Sequence, residues 1–108
     1  MVELRPLVFA RDHYQCQAVG LMPGSCSGAL AAHHRWTAVR LDTIENLVTL
    51  CHEHHQGDNG VHQRKTRAYE VGLLLRMSAK PTPADEWVPR DPSGSFNTSW
   101  TRPPEEPV

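Results

Sequence analysis

The sequence predicts a small α+β domain, with two short strands preceded and followed by helices. Arg5–Asp12 (RPLVFARD) is compatible with a short amphipathic helix that packs on the body of the protein. Small residues from 28 to 32 run into His33 and favour a first strand. Asn46–Cys51 (NLVTLC) contains β-favouring side chains and predicts a second strand. Val61–Val71 favours a helix, and Gly72 is a natural stop for it.

Length and composition indicate one domain that needs a stabilising cross-link. The chain has 108 residues, of which 39% are hydrophobic and only 6% aromatic, so its core is thin for its size. No apolar run reaches the length of a membrane span or of a secretory signal, and we expect a cytoplasmic protein.

Charge and proline divide the chain at residue 80. Residues 1–80 contain nine Lys/Arg against seven Asp/Glu, whereas residues 81–108 contain two against five and seven of the nine prolines. We therefore predict a mildly basic folded domain over 1–80 and a Pro-rich acidic tail over 81–108. The tail is expected to be extended or partly disordered, although aromatic residues such as Trp87 give it the means to dock.

The three cysteines favour a metal site over disulfides, because an odd number cannot pair completely. Cys51 and His54 form a C-x-x-H pair, whose spacing lets two ligands from one turn reach one tetrahedral ion. Cys16 and Cys26 would complete a structural Cys3His zinc site, although ten positions separate them. His52 is an alternative to His54, and three ordinary buried thiols are the alternative to a metal site.

A second set of residues is defined by order and spacing. Eleven residues separate the pair His33-His34 from Asn46, and eight separate Asn46 from His55. With this pattern the chain resembles the HNH endonucleases, most closely the compact zinc-containing proteins of bacteriophages and bacteria. The segment ENLVTLCHEHH is similar to the family's NLxxLCxxCH, and AAHHRW resembles the strand end that carries the first histidine. The resemblance covers roughly residues 5–75, and it departs from the family in the wide cysteine spacing and in His33, where many members have Asp.

The resemblance implies a ββα-metal (His-Me finger) fold and metal-dependent hydrolysis of DNA phosphodiester bonds. His34 would activate the attacking water, and histidine suits this role because it titrates near neutral pH. His33 and His55 would hold a catalytic divalent ion, which could be Mg²⁺, Mn²⁺, Ni²⁺ or Zn²⁺. Asn46 would hydrogen-bond across the loop and fix the orientation of the base.

Basic residues on both sides of this set are candidates for contacts with DNA phosphates. The break at residues 57–60 separates His62 from His55, so His62 is expected at a phosphate or at the metal, or simply at a solvated helix start. The alternative for the basic residues is an ordinary exposed charged face. The nucleic-acid candidates are Arg35, Arg40, His62, Arg64, Lys65 and Arg67.

Two other functions stay open from the sequence. A non-catalytic zinc module that binds DNA or a protein would use Cys16, Cys26, Cys51 and His54, but it leaves His33, His34 and His55 without a role. A nuclease acting inside a larger machine, such as phage DNA packaging beside a terminase in the bacterial cytoplasm, would use the tail for docking.

Overall fold

The computed structural model describes residues 4–37, 42–76 and 87. Two strands and the short helix that follows them form the centre of the fold, with one helix before them and one after. The elements are α1 (Leu4–Arg11), β1 (Leu30–His34), β2 (Leu47–Cys51), α2 (His52–Gln56) and α3 (Lys65–Val71), with a 3-10 turn at Ile44–Asn46. None of these helices is long and apolar enough to cross a membrane.

The two strands predicted from the sequence pair with each other in an antiparallel sheet. The register places Leu30 opposite Cys51 and His34 opposite Leu47. Directly opposed residues share a face of the sheet, so His33 lies on the same side as its partner Val48. The sheet therefore carries the first histidine pair at one end and the last cysteine at the other.

Both faces of β2 are covered, and this explains why all five of its residues are buried. Val48 and Leu50 point into the larger core cluster, together with Val61 and Leu73. Leu47 points the other way, into a smaller cluster with Val8 of α1. Alternation of side chains along a strand produces this division, and continuous burial accounts for the unbroken apolar run in the sequence.

A buried ion pair that was not predicted from the sequence connects α1 to β2. Arg11 and Asp12 are both fully buried. The Arg11 guanidinium donates to the Asp12 carboxylate at 2.9 Å and to the carbonyls of Ile44 at 2.9 Å and Leu47 at 2.6 Å. The second Asp12 oxygen accepts the backbone N–H of Thr49 at 2.9 Å. Every charged atom has a partner, which is the condition for burying such a pair.

The final helix is shorter than predicted. It begins at Lys65 instead of Val61, because Val61 is fully buried and its N–H donates to the carbonyl of His54 at 2.9 Å. It ends at Gly72 as expected, with the left-handed φ of 84° that glycine accommodates. The chain then returns to the sheet, where the Leu75 N–H donates to the carbonyl of Arg35 at 2.8 Å.

Trp87 lies beyond the predicted boundary at residue 80, yet it belongs to the larger core cluster. Its indole Nε1–H donates to Oε1 of Gln17 at 2.9 Å, and the Arg35 guanidinium lies 5.5 Å from the ring centroid. At least this residue of the Pro-rich segment is part of the folded body. The remainder of the predicted tail, 81–86 and 88–108, lies outside the described residues.

Candidate metal centres

Four residues from four parts of the chain meet in what we call the sulfur cluster. Cys16 follows α1, Cys26 precedes β1, Cys51 ends β2, and His54 lies in α2. The His54 Nδ1 is 3.5 Å from the Sγ atoms of Cys16 and Cys26 and 3.3 Å from that of Cys51. A tetrahedral zinc with ordinary Zn–S and Zn–N bond lengths places such S and N atoms about 3.6 Å apart. The cluster can therefore hold a metal such as zinc.

Hydrogen bonds prepare His54 to be the fourth ligand. Its Nε2–H donates to the carbonyl of Pro23 at 3.0 Å, which leaves the lone pair on Nδ1, facing the thiols. His54 is fully buried, whereas His52, the alternative ligand, is exposed and lies outside the cluster. Among the described residues, the sulfur cluster therefore contains His54 and not His52.

The protein alone does not stabilise three thiolates at this point. Burial raises the pKa of Cys16, and burial together with the other thiols raises the pKa of Cys26 to about 12. At Cys51 burial also acts to raise the pKa, but hydrogen bonds from the backbone of His54 and Ser27 outweigh it and lower the pKa to about 7. Only a cation compensates three adjacent negative sulfurs, so the donor set fits a divalent metal.

A second group, the three-histidine cluster, consists of His33, His55 and His62. Its ring centroids are separated by 5.1, 5.5 and 5.2 Å, and one nitrogen of each ring lies within 4.8 Å of the others. His33 comes from β1, His55 from α2, and His62 from the segment before α3. His33 is buried, His55 is half-buried and His62 is exposed, so the cluster opens to solvent on one side.

The buried member is held in one tautomer. The His33 Nε2–H donates to the carbonyl of Leu73 at 2.9 Å, so its lone pair is on Nδ1. Burial and the neighbouring His55 lower the pKa of His33 to about 3, and burial and His62 also lower the pKa of His55. Both rings are consequently neutral at pH 7 and have a nitrogen available to bind a metal ion.

The turn at residues 57–60, after α2, brings His62 to the three-histidine cluster. The sequence predicted instead that this turn separates His62 from His55. Glu53 Oε2 accepts the backbone N–H of Asn59 at 2.9 Å and its side-chain N–H at 3.2 Å, which shapes the turn. A Cβ at Gly60 would lie 2.7 Å from the carbonyl oxygen of His55, so only glycine permits this close return. His62, for which a phosphate contact, a metal ligand and a solvated helix start were all open from the sequence, lies with the two predicted metal ligands.

His34 and Asn46 are not members of the three-histidine cluster. The His34 Nε2 is 2.8 Å from Oδ1 of Asp42. Asn46 is fully buried and closes the loop between the strands, since its Oδ1 accepts the Trp36 N–H at 2.7 Å and its carbonyl accepts the Arg35 N–H at 2.8 Å. Asn46 therefore sets the path of the backbone directly after His34.

The predicted nucleic-acid contacts divide into different environments. Arg35 is buried, and its guanidinium donates to the carbonyls of Gly72 and Glu45, so it holds the loop together and is not presented to a phosphate as predicted. Arg40 lies outside the described residues. Besides His62, which lies in the three-histidine cluster, three candidates remain. They are exposed and line an open groove of about 720 Å³ with the segment 20–23: Arg64, Lys65 and Arg67.

Comparison with known proteins gave no match to a family model, to a curated protein or to a solved structure.

Proposed function

We propose that the chain is a metal-dependent endonuclease of the HNH type that hydrolyses DNA phosphodiester bonds at the three-histidine cluster. The observation that carries the proposal is the convergence of His33, His55 and His62, with His34 directly after His33 in β1. Asn46 closes the loop that follows His34. The chain order of strand, strand and helix around these residues agrees with a ββα-metal unit. A purely structural zinc module would need only the sulfur cluster.

The two clusters suit different tasks. The sulfur cluster offers four protein ligands, which complete a tetrahedral ion and leave no position for a substrate. The three-histidine cluster offers only three, and its exposed member leaves an open side toward solvent. A divalent ion bound there would supply Lewis-acid stabilisation of the charge that develops on the phosphate. His33, His55 and His62 are accordingly proposed as its ligands.

Proton transfer is assigned to the protein. His34 takes a proton from the attacking water as the new P–O bond forms and the P–O bond to the leaving oxygen breaks. His34 is suited to this because it follows a ligand directly and is about one quarter exposed, so its ring remains accessible to water. Asn46 positions the loop that follows His34 through its bonds to Trp36.

DNA binding is proposed at the exposed basic face. Arg64, Lys65 and Arg67 follow His62 closely in sequence and have side chains open to solvent. Arg67 already has partners within the protein, since it donates to the carbonyl of Leu21 and pairs with Glu70, and it is therefore less available to a phosphate. Few free cations and a net charge of −1 predict weak, salt-sensitive binding without sequence recognition.

Cleavage of supercoiled plasmid tests the proposal directly. After chelation and addition of Mg²⁺, Mn²⁺, Ni²⁺ or Zn²⁺ in turn, the wild-type chain should nick the plasmid with at least one ion. The His34→Ala variant should lose about 100-fold or more of the rate, which is the usual contribution of a general base, and should keep its structural zinc. The matched control is His52→Ala, which removes an exposed histidine outside both clusters and should cleave normally.

Two results would contradict the nuclease. Equal cleavage by the wild type and by His34→Ala would show that His34 is not the general base and that the activity comes from a contaminant. Absence of cleavage with every ion, in a folded protein that retains zinc, would favour the non-catalytic zinc module.

A further inference from the structure

Asp42 contacts the residue assigned as the base. Its Oδ1 lies 2.8 Å from Nε2 of His34, across the loop that joins the two strands. Within the described parts of the chain, no other side chain hydrogen-bonds the His34 ring. His34 occupies the last position of β1, where its ring is only partly enclosed, with 26% of the side chain exposed.

We propose that Asp42 is a positioning residue for His34, and this inference rests on the proposed nuclease function. A carboxylate can only accept a hydrogen bond, so the contact requires the proton of the neutral imidazole to be on Nε2. Nδ1 then keeps the lone pair and is the atom that accepts the proton of the attacking water. The Nε2–H bond to Asp42 persists through that step, so Asp42 orients the ring and does not itself receive the proton.

The fold holds Asp42 in place although its side chain is 80% exposed. Two residues later Ile44 is buried and begins the 3-10 turn, and its carbonyl accepts a hydrogen bond from the buried Arg11. At the other side of the loop, Asn46 binds the backbone of Trp36, two residues after His34. Both partners of the contact thus lie within two residues of backbone that takes part in buried hydrogen bonds.

The contrast with His33 supports a role in the reaction over a role in folding. His33 is fixed by a buried backbone carbonyl, as a permanent ligand should be. His34 is fixed by an exposed carboxylate, and exposed pairs of this kind contribute little to stability. Loss of Asp42 should therefore change the tautomer of the His34 ring and the rate of cleavage while leaving the fold intact.

The experiment compares Asp42→Asn, Asp42→Ala and Asp42→Glu with the control Asp58→Asn, which changes an exposed acid that has no hydrogen bond among the described residues. Long-range ¹H–¹⁵N spectra of the ring nitrogens report the tautomer of His34. Plasmid nicking with the preferred ion gives kcat and KM. The wild-type ring should carry its proton on Nε2.

In Asp42→Asn and Asp42→Ala the His34 ring should become a mixture of tautomers, and kcat should fall about 10- to 100-fold, as for other residues that orient a functional histidine, with KM unchanged. Asp42→Glu should recover part of the rate, and Asp58→Asn should match the wild type. The proposal is overturned if Asp42→Asn and Asp42→Ala cleave at the wild-type rate, or if the wild-type ring carries its proton on Nδ1.

Failure of the nuclease function is recognised separately, as absence of cleavage by the wild-type chain with every ion. The tautomer measurement then tests the contact between Asp42 and His34 without reference to cleavage. An Nε2–H ring in the wild type that is lost in Asp42→Ala, which removes the acceptor, supports positioning, and an unchanged ring in that variant refutes it.

Discussion

The short helix α2 contributes one residue to the sulfur cluster and one to the three-histidine cluster. The two clusters differ in the number of their ligands and in how deeply these are buried. His54 belongs to the first and His55 to the second, and adjacent residues on a helix point about 100° apart, which separates the two groups. Three of the four residues of the sulfur cluster are buried. In the three-histidine cluster His33 is buried, His55 is half-buried and His62 is exposed. A closed set of four ligands suits a structural ion, and an open set of three suits one that must meet a substrate. Ligand number and burial thus distinguish two sites to which adjacent residues of one helix contribute.

The largest effect is expected from breaking the sulfur cluster. Cys51→Ser removes a thiolate at the end of β2 and replaces it with a hydroxyl that binds zinc poorly. Structural zinc contributes about 10–16 kcal/mol of apparent binding energy to small domains, so the variant should lose both its metal and its fold. Elemental analysis of the purified protein and far-UV circular dichroism measure the two losses. A variant that stays folded without metal would show that the sulfur cluster is not what stabilises the domain.

The next effect is expected from His62→Ala, which should break only the three-histidine cluster. Removal of a residue that merely orients a metal ligand already costs about 10- to 100-fold, so loss of a proposed ligand should reduce the proposed cleavage at least about 100-fold. Because His62 is exposed, the free energy of unfolding should change by no more than about 0.5 kcal/mol. Metal titration, plasmid nicking and urea unfolding test the three statements. Loss of the structural zinc in this variant would show that the two clusters are not independent.

The smallest effect concerns pH and the buried member of the three-histidine cluster. The pKa of His33 is lowered to about 3 in the folded chain, whereas an unfolded histidine titrates at about 6.5. Below about pH 6.5 the unfolded chain therefore binds a proton that the folded chain does not, and stability falls as pH decreases, by up to about 1.4 kcal/mol per pH unit.

The variant His33→Gln isolates this contribution, because glutamine keeps a donor for the Leu73 carbonyl but does not titrate. Between pH 6 and pH 5, without added divalent ions, the wild type should lose about 1 kcal/mol more stability than the variant. Urea unfolding at the two pH values measures the difference. The contribution of the sulfur cluster to the pH dependence cancels because both proteins contain it. Parallel losses in the two proteins would mean that His33 is not kept neutral by burial.

Much of the framework was predictable from local sequence. Asn46–Cys51 predicted a strand because its β-favouring residues form a continuous run, and the C-x-x-H spacing selected His54 over His52. The stop at Gly72 was also predictable, since the residue has the left-handed backbone conformation that glycine favours. Each of these signals lies within a few neighbouring residues, where backbone geometry alone relates the side chains.

The remaining features could not be predicted from spacing. Arg35 looked like a phosphate contact, but the returning segment after α3 buries it under carbonyl oxygens and the ring of Trp87. Asp42 carried no motif, and it matters only because the closed loop places it against His34. The environment of Arg35 depends on where a segment 37 positions away packs. The contact of Asp42 depends on how the connection between the strands folds back over eight positions, and local residue patterns specify neither.

The sequence by itself determined that this protein has two short strands, a Cys3His donor set and a separate ordered group of histidines. The tertiary structure alone decided how these donors divide, with His62 joining His33 and His55 through the close turn at Gly60. The physical reason is that metal-ligand chemistry is a property of residue type and local spacing. The meeting of three rings from a strand, a helix and a loop depends on backbone hydrogen bonds and burial that only the complete fold supplies.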